Sequence, residues 1–486
     1  MKKLLLCLIL ISVVLTACQS GDATDNPDNL PPPQESGGNG AEPQNYLDTL
    51  PANNFNGYTF TIIGRQSNAA FIENFPAEEE TGEPVNDALY KRNKTIEERF
   101  NIKIEHITFE GVAEVSTKVR LSVNAQDNAY DIAIDSLANG LNTIAPKGIL
   151  RDLNSMNYLR LDQDWWCRSL YEDMQVNGRI FYTMSPISPL FYRTPVVFLY
   201  NKKLAEELDT GNMNRFVWDN EWTCDKLISI IKDLNRDLNG DGVLNAADDF
   251  FGIAGDYLAG TAIPFAFGQK MIVRDDNTYF KLNYENEAMI NAVNLSADIL
   301  RNKTLSYNAN TDYVQYGEVK PFKENRLFCM VVPVGFITVH LRDMESDFGI
   351  LPLPKLNSAQ ENFYTYGVPH ISAGIGVPTY CDNPERTGLI LEVMSYLSHE
   401  TVRPAVYDNT LQQKGARDEE SMAMLDLIYS SIYFDLNEIQ NFGGSCALLR
   451  DYTFFGTGDF VSGYERIKEK TEKEIADLVD AYLSLG

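Results

Sequence analysis

The spacing of apolar positions changes several times in the first third of the chain, and these changes predict alternating strands and helices. The apolar run at residues 58–64 predicts a buried strand, residues 101–109 alternate as a second strand, and residues 130–134 predict a third. Between them, apolar side chains recur at helical spacing in residues 84–100, which Pro84 opens, and in residues 115–123. This β-α-β-α-β order predicts an α/β layer with a mainly parallel sheet.

The segments just after these strands contain the first candidate binding residues. Ligands of such sheets bind beyond the carboxyl ends of the strands. Arg65 and Gln66 follow the first strand, and Asp135 and Ser136 follow or end the third. The alternative is that Arg65 and Asp135 are solvated loop charges.

A second α/β series begins near residue 195. It comprises predicted strands at residues 195–200, 251–255, 327–332 and 348–351, and predicted helices at 222–234 and 288–301. Residues 464–482 carry apolar side chains at helical spacing and predict a docked terminal helix, with a partner-binding helix as the alternative. The chain therefore reads as two α/β units in succession.

The N-terminal residues predict export and a lipid anchor. Lys2 and Lys3 precede an apolar stretch at residues 4–15, which is too short for a permanent span of about 20 residues. Residues 1–17 therefore predict a signal peptide. Leu15-Thr16-Ala17-Cys18 resembles a bacterial lipobox, which implies fatty acylation of Cys18, as by palmitate. The alternative is an ordinary signal peptide followed by a chance cysteine.

The residues after Cys18 and the overall charge fit such an anchor. Residues 18–44 are rich in Gly, Pro, Ser, Asn and Asp and predict a flexible tether. The chain has 41 Lys+Arg against 68 Asp+Glu, a net charge of -27, which argues against nucleic-acid binding. An anionic body is repelled by anionic headgroups, so we expect membrane attachment through the lipid alone, at the extracellular face of the cell membrane.

One loop has the spacing of a calcium site. Oxygen ligands stand at positions 1, 3, 5, 7, 9 and 12 of residues 237–248, with Gly242 at position 6 for the sharp turn. They are Asp237, Asn239, Asp241, the carbonyl of Val243, Asn245 directly or through water, and Asp248. Ca²⁺ would act as a structural staple. The alternatives are a plain polar turn and a dockerin repeat, although dockerins carry two such loops.

Signals for catalysis and for paired cysteines are missing from the sequence. The four histidines are far apart, and no HExxH, GxSxG, GxxxxGK[ST] or GxGxxG motif occurs. The five cysteines after Cys18 have no paired spacing, which argues against a zinc site and a disulfide framework. Aromatic residues near strand ends could stack on sugar rings or pack in the core; they are Trp165, Trp166, Tyr182, Tyr192, Tyr257 and Phe336.

Several motifs resemble the extracellular solute-binding proteins of family 1, the carbohydrate-capturing lipoproteins of ABC importers. Besides the lipobox, they are YDIAI at 130–134, GILRDL at 148–153, FLYNKKL at 198–204, WTCDKL at 222–227 and GILPLPK at 349–355. The resemblance covers residues 55–485. It implies a type II periplasmic-binding-protein-like fold of two α/β lobes joined by crossover hinge strands. Lobe 1 would take residues 45–190 and 373–405, and lobe 2 would take 191–372 and 406–486.

The resemblance also implies a ligand cleft between the lobes. Carried over to this chain, the residues that face the cleft are Arg65, Gln66, Asp135, Ser136, Ser185, Ser188, Asp256, Tyr257, Gly335 and Phe336. We expect a monomer without enzymatic activity that captures a sugar or oligosaccharide and delivers it to the permease subunits of an ABC importer. Gly367, Gly374 and Gly376 would give the hinge backbone freedom.

Two other functions remain open from the sequence. An extracellular glycan-active enzyme is compatible with the lipobox and the aromatic residues. A surface glycan-binding lipoprotein of the starch-utilisation type should be nearly all helical.

Overall fold

The computed structural model describes residues 45–65, 77–111, 113–308, 316–412 and 419–485. The predicted signal peptide, Cys18, most of the tether and Gln66 lie outside the described residues. Residues 50–486 form one compact unit. The other unit comprises residues 1–49 and is described only from residue 45 onward, where Tyr46–Thr49 form a 3₁₀ helix. Within the described residues, no helix combines the length and apolar character that a membrane span requires.

Strands and helices alternate along the described parts of the chain. The strands are β1 (Tyr58–Arg65), β2 (Ile102–Phe109), β3 (Ile132–Ser136), β4 (Val196–Asn201), β5 (Phe251–Gly255), β6 (Ile272–Asp275), β7 (Tyr279–Leu282), β8 (Ser306–Asn308), β9 (Leu327–Pro333), β10 (Phe348–Leu351), β11 (Thr365–Tyr366), β12 (Ala373–Gly376) and β13 (Ile432–Tyr433). The α-helices are α1 (Pro84–Phe100), α2 (Glu114–Ala125), α3 (Arg168–Asp173), α4 (Leu190–Arg193), α5 (Lys202–Glu207), α6 (Met213–Trp218), α7 (Cys224–Ile231), α8 (Ala259–Ala266), α9 (Glu287–Arg301), α10 (Val319–Lys323), α11 (Gly335–His340), α12 (Pro384–Gln412), α13 (Glu419–Ser430), α14 (Leu436–Gln440), α15 (Cys446–Arg450) and α16 (Phe460–Ser484).

The first sheet has the predicted parallel core. Its strand order is β12-β3-β1-β2, in which β1 runs parallel to both β2 and β3. Strand β12 returns from much later in the chain and pairs antiparallel with β3, with Ala373 opposite Ser136. Helices α1, α2 and α12 pack around these strands, and we call this unit lobe 1.

The second sheet is mixed. Its order is β10-β4-β9-β5-β8, with β5 parallel to β8 and β9, and β4 antiparallel to β9 and β10. With helices α7, α8 and α9 it forms lobe 2. The two sheets contradict a nearly all-helical protein and with it the starch-utilisation alternative.

Local capping explains where several predicted elements begin. Pro84 stands at the start of α1, and the Glu83 side chain accepts a hydrogen bond from the Asn86 amide. The predicted helix at 222–234 is shorter than expected, because Thr223 caps α7 and Trp222 lies before the helix. Trp222 is fully buried, and its indole Nε1 donates to the Pro352 carbonyl over 2.8 Å.

Two crossover segments connect the lobes side by side. The first segment spans residues 183–195, and the second spans residues 367–375. An antiparallel β-bridge pairs Thr183 of the first segment with Ile375 in β12. A second antiparallel bridge pairs Pro195 with Gly367. Between these bridges, the Ser372 hydroxyl donates to Thr194 Oγ1 over 3.0 Å. The crossover hinge predicted from the sequence resemblance is therefore present as a pair of linked strands.

The glycines of the second crossover have a different role from the predicted one. Gly367, Gly374 and Gly376 do not adopt left-handed backbone. A Cβ atom at Gly367 would lie 2.5 Å from the Phe434 ring, and one at Gly374 would lie 2.7 Å from Leu137 Cδ2. These glycines therefore permit close packing, and the expectation of backbone freedom was wrong.

The helix α16 is docked along the protein, as the apolar spacing predicted. Near its start, the Tyr464 ring stacks on Tyr284 of lobe 2 at 5.0 Å between centroids. Near its end, the Tyr482 ring packs on Phe181, which leads into the crossover bridge of lobe 1, at 4.7 Å. One helix thus contacts both lobes.

Candidate functional site

The carboxyl ends of parallel strands from both sheets meet at the second crossover. On the lobe 1 side, the Ser136 hydroxyl at the end of β3 lies 3.3 Å from the Pro369 carbonyl and 3.2 Å from the His370 carbonyl. On the lobe 2 side, the Val334 amide after β9 donates to the Pro195 carbonyl, which belongs to the bridge with Gly367. We call the space bordered by these strand ends the interlobe cleft.

Asp135 orders the lobe 1 side of the cleft. Its carboxylate is buried and accepts hydrogen bonds from the Ser116 hydroxyl over 2.6 Å and from the Ser136 amide over 2.8 Å. Burial raises its pKa, and these hydrogen bonds and the nearby Arg65 oppose that rise. A Cβ atom at Gly140 would lie 2.3 Å from the Ser136 carbonyl, so this loop folds tightly over Asp135. Arg65, Asp135 and Ser136 therefore come together as predicted.

Asp256 and Tyr257 follow β5 on the lobe 2 side. Both are partly exposed. Asp256 Oδ1 accepts a hydrogen bond from the Leu258 amide over 2.8 Å, and burial together with the nearby Glu318 carboxylate raises the pKa of Asp256 to about 7. The Arg450 guanidinium lies 5.9 Å from the centroid of the Tyr257 ring.

Gly335 and Phe336 belong to an aromatic group after β9. The rings of Phe336, Tyr316 and His340 contact one another, with centroids 4.4 to 5.7 Å apart. Burial and the charge of Lys323 lower the pKa of His340, so its ring is neutral near pH 7. This side of lobe 2 therefore offers flat apolar faces beside acidic groups.

Sequence reasoning missed four residues around the cleft. The positive charge of Arg450 favours the neutral form of His370, an exposed residue of the crossover, and the charged form of Glu438. The Glu438 carboxylate also accepts a hydrogen bond from the Tyr366 hydroxyl over 3.0 Å. Glu318 is the fourth and is almost fully buried. They come from separate segments, and no local motif marks them.

Other predicted contact residues lie in the interior. Ser185 and Ser188 are fully buried, and the Ser185 hydroxyl lies 3.1 Å from Ser395 of α12. The indoles of Trp165 and Trp166 donate to the buried Glu392 of α12 over 2.9 and 3.0 Å. Tyr182 and Tyr192, like Trp166, have core positions.

A separate cavity of about 1010 Å³ is bordered by both lobes. The residues that line it include Trp166, Tyr192, Arg403 and Tyr433. Lys270 and Asp173, which also line it, form an ion pair. None of the predicted cleft residues lines it.

Comparisons with known proteins identify the fold. No protein family model matches the chain, and no curated protein matches it. Among solved structures, the chain is similar to an ABC substrate-binding protein of Listeria monocytogenes in complex with cycloalternan, with a TM-score of 0.53 and 14% identity over 86% of this chain and 99% of that chain. It is also similar to UspC of M. tuberculosis (TM-score 0.56, 14% identity, 85% and 99% coverage) and to a cyclo/maltodextrin-binding protein in complex with maltotetraose (0.54, 13%, 87% and 96%).

The chain has a type II periplasmic-binding-protein-like fold.

This binding-protein fold carries the predicted calcium loop on lobe 2. Asp237 accepts hydrogen bonds from the amides of Gly240 and Gly242 over 2.6 and 2.7 Å, and Asn239 Nδ2 lies 3.1 Å from Asp241 Oδ2. These hydrogen bonds fold the first half of the loop into a tight turn around the Asp237 carboxylate. Both glycines have positive φ, as such a turn requires.

The second half of the loop departs from the predicted ligand set. Asp248 is exposed, whereas the fully buried Asp249 accepts hydrogen bonds from the amides of Leu238 and Asn245 over 2.9 and 2.8 Å. Within the described part of the chain, no group of three or more His, Cys, Asp or Glu side chains is placed to hold a metal ion. Calcium binding by this loop therefore stays a prediction, and the carboxylate that is hydrogen-bonded to the loop backbone in its second half is that of Asp249.

Three carboxyl groups of lobe 2 have pKa values raised toward neutrality. Burial raises the pKa of Asp256 to about 7, of Glu438 to about 7 and of Asp435 to about 6. Each group binds its proton more tightly in the folded chain than in the unfolded chain. The stability that it contributes is therefore fully present below its unfolded pKa and is lost as the pH rises through its folded pKa.

Histidines oppose this effect at lower pH. Burial lowers the pKa of His106 to about 4 and also lowers the pKa of the partly buried His399. Unfolded histidine takes up its proton near pH 6.5, so these groups reduce stability below about that pH.

We therefore expect the melting temperature to fall as the pH rises from about 5.5 to 7 and to level off above about pH 7.5, measured by calorimetry from about pH 5 to 8.5. Asp256→Asn should make this fall shallower, and His106→Gln should make it steeper, because the opposing effect of this histidine is then lost. A melting temperature that rises steadily up to the alkaline limit would contradict this interpretation.

Proposed function

We propose that this chain is the substrate-binding lipoprotein of an ABC importer, which captures a sugar or oligosaccharide outside the membrane and delivers it to the permease. The observation that carries the proposal is the meeting of strand ends from two sheets at paired crossovers, where partly exposed Tyr257 and Asp256 border one cleft. The carbohydrates named with two of the similar structures support this ligand class.

The proposed mechanism is capture without chemistry. Aromatic faces such as Tyr257 stack on the apolar face of a sugar ring, while carboxylates and the Arg450 guanidinium bond to hydroxyl groups. Because the binding residues belong to both lobes, ligand favours the conformation in which the lobes approach each other.

A saccharide panel tests the proposed function. The full chain with Cys18→Ala, which cannot be acylated at that position, would be screened by thermal shift against mono- and oligosaccharides. We expect at least one saccharide to raise the melting temperature in a concentration-dependent way, as binding to the folded state requires. Release of shorter sugars from the same glycans would instead favour the glycan-active enzyme.

Attachment to the outer face of the cell membrane through Cys18 is part of the proposal. It rests on Leu15-Thr16-Ala17-Cys18 and on the polar residues that follow. We expect Cys18→Ala to abolish incorporation of labelled palmitate and to leave unlipidated precursor. Label that persists in this variant would overturn the anchor.

A structural Ca²⁺ ion in the loop at 237–248 is a further part of the proposal, supported by the calcium-type spacing of its oxygen-bearing residues and by the tight turn that the Gly240 and Gly242 amides form with Asp237. Chelation should lower the melting temperature of the wild type, because an ion at 100 times its dissociation constant stabilises the fold by about 2.7 kcal/mol. Asp237→Ala combined with Asp241→Ala should remove this sensitivity, while Asp248→Ala should retain it. An equal response to chelator in the wild type and the double variant would count against the site.

A further inference from the structure

Two carboxyl groups of the cleft have no cationic partner. Asp256 accepts one backbone hydrogen bond at Oδ1, and Glu318 Oε1 is buried without any hydrogen-bond partner in the described chain. Glu318 is only 1% exposed. No Lys or Arg of the described chain forms a salt bridge with either group or contributes to the pKa shift of either one.

The other acidic groups of the cleft differ in this respect. The charge of Arg65 acts on Asp135, and that of Arg450 acts on Glu438. Among the described residues, Asp256 and Glu318 are therefore an acidic pair without a cationic partner.

Strand register places Asp256 at the carboxyl edge of the second sheet, and a ring contact brings the start of α10, where Glu318 lies, to the same edge. Gly255 at the end of β5 pairs with Asn308 at the end of β8 and with Val331 near the end of β9. Glu318 lies shortly after β8 in sequence, and its neighbour Tyr316 contacts the Phe336 ring that follows β9. Both carboxyl groups thus stand beside the aromatic group of the cleft.

Two nearby carboxylates repel each other, and the buried Glu318 loses hydration at Oε1 that no hydrogen bond in the described chain replaces. A positive charge from outside the chain relieves both costs. A metal ion would find only these two protein carboxylates, since no group of three metal-ligating side chains occurs in the described residues. A protonated nitrogen needs only a few acceptor oxygens, and aromatic faces such as Phe336 attract it further.

We propose that the ligand of the interlobe cleft carries a protonated nitrogen, as an amino sugar does, and that this nitrogen binds between Asp256 and Glu318. The inference rests on the proposed function, because it takes the cleft as the saccharide site.

Matched sugars test the inference. The full chain with Cys18→Ala would be titrated by calorimetry at neutral pH with sets that differ at one substituent: glucose, glucosamine and N-acetylglucosamine, and the β-1,4-linked trimers of each. We expect the amino member of a set to bind about tenfold or more tightly than both neutral members, as a charged hydrogen bond allows.

Variants separate charge from shape. Asp256→Asn and Glu318→Gln keep the size of the side chain, and each should weaken binding of the amino sugar about tenfold more than it weakens binding of the neutral members. Unaltered circular dichroism would establish that the variants fold. Glu469→Gln, at an exposed site on α16, is the control and should change nothing.

The outcomes distinguish the two proposals. Neutral sugars that bind as tightly as amino sugars would overturn the protonated nitrogen and leave the saccharide-binding function in place. Binding of choline, an amine without a sugar ring, with no binding of any saccharide would overturn the carbohydrate function and retain the charge argument. Absence of binding in every arm would count against both.

Discussion

Replacing Glu392 with Ala is expected to lower the free energy of unfolding by about 3 kcal/mol or more. Glu392 is fully buried in α12, where it accepts the indole N–H groups of Trp165 and Trp166 and the backbone amide of Arg160, over 2.9 to 3.1 Å. Alanine would leave these donors without an acceptor, and each unsatisfied buried group costs about 1–3 kcal/mol. Urea unfolding monitored by tryptophan fluorescence measures the loss.

A matched control lies on the same helix. Glu400 is exposed, and Glu400→Ala is expected to change the free energy of unfolding by less than about 0.5 kcal/mol. Glu392→Gln keeps one acceptor oxygen and should fall between the two. Equal stability of Glu392→Ala and the wild type would show that the loop at 160–166 contributes nothing to the fold.

Saccharide binding is expected to reduce the radius of gyration in solution scattering, and Tyr257→Ala is expected to abolish this change. Truncation of a buried aromatic anchor costs about 2–4 kcal/mol, which corresponds to about a hundredfold weaker binding. Shifting a two-state population from 1:99 to 99:1 needs about 5.5 kcal/mol of differential affinity, so a hundredfold loss returns the saturated protein to about 1:1. At a saccharide concentration that half-saturates the wild type, the weaker binding leaves almost no change in the radius of gyration.

Two further variants refine the closure experiment. Tyr380→Ala removes an exposed ring outside the cleft, 39% exposed, and should leave binding and compaction intact. Asp135→Ala is expected to reduce both, by disordering the loop that Ser116 and Ser136 hold against this carboxylate. A saccharide that binds tightly while the scattering curve stays the same would show that the lobes do not move.

The long apolar runs made the main strands predictable from the sequence. The predicted strand at 251–255 coincides with β5, and Pro84 marked the start of α1, because burial and capping act locally. The short hairpin β6–β7 and the pair β11–β13 were not predicted, because strands of two to four residues are too short to show an apolar period. The pair β11–β13 also joins distant parts of the chain. The antiparallel return of β12 also depends on long-range pairing.

The strand-end argument selected Arg65 and Asp135, and the structure places both at the ends of adjacent strands. Asp256 and Tyr257 were carried over from the sequence resemblance, and they directly follow β5. Glu318 and Arg450 were missed, because each reaches the cleft from a segment without a regular pattern. Ser185 and Ser188 were predicted to face the cleft because they belong to the first crossover. The sequence does not distinguish a hydroxyl group that faces a ligand from one that packs against α12, as that of Ser185 does.

The terminal helix restricts how the two lobes can rotate. Helix α16 has 25 residues and is about 37 Å long, with Tyr464 on lobe 2 and Tyr482 against Phe181 on lobe 1. If α16 moves with lobe 2, a rotation about a distant axis would sweep Tyr482 across lobe 1 and break its contact. An axis through the neighbourhood of Phe181, two residues before the Thr183 bridge, leaves that contact nearly stationary. The helix therefore favours a rotation axis near its C-terminal end. Lobe movements about other axes would cost the contact between Tyr482 and Phe181.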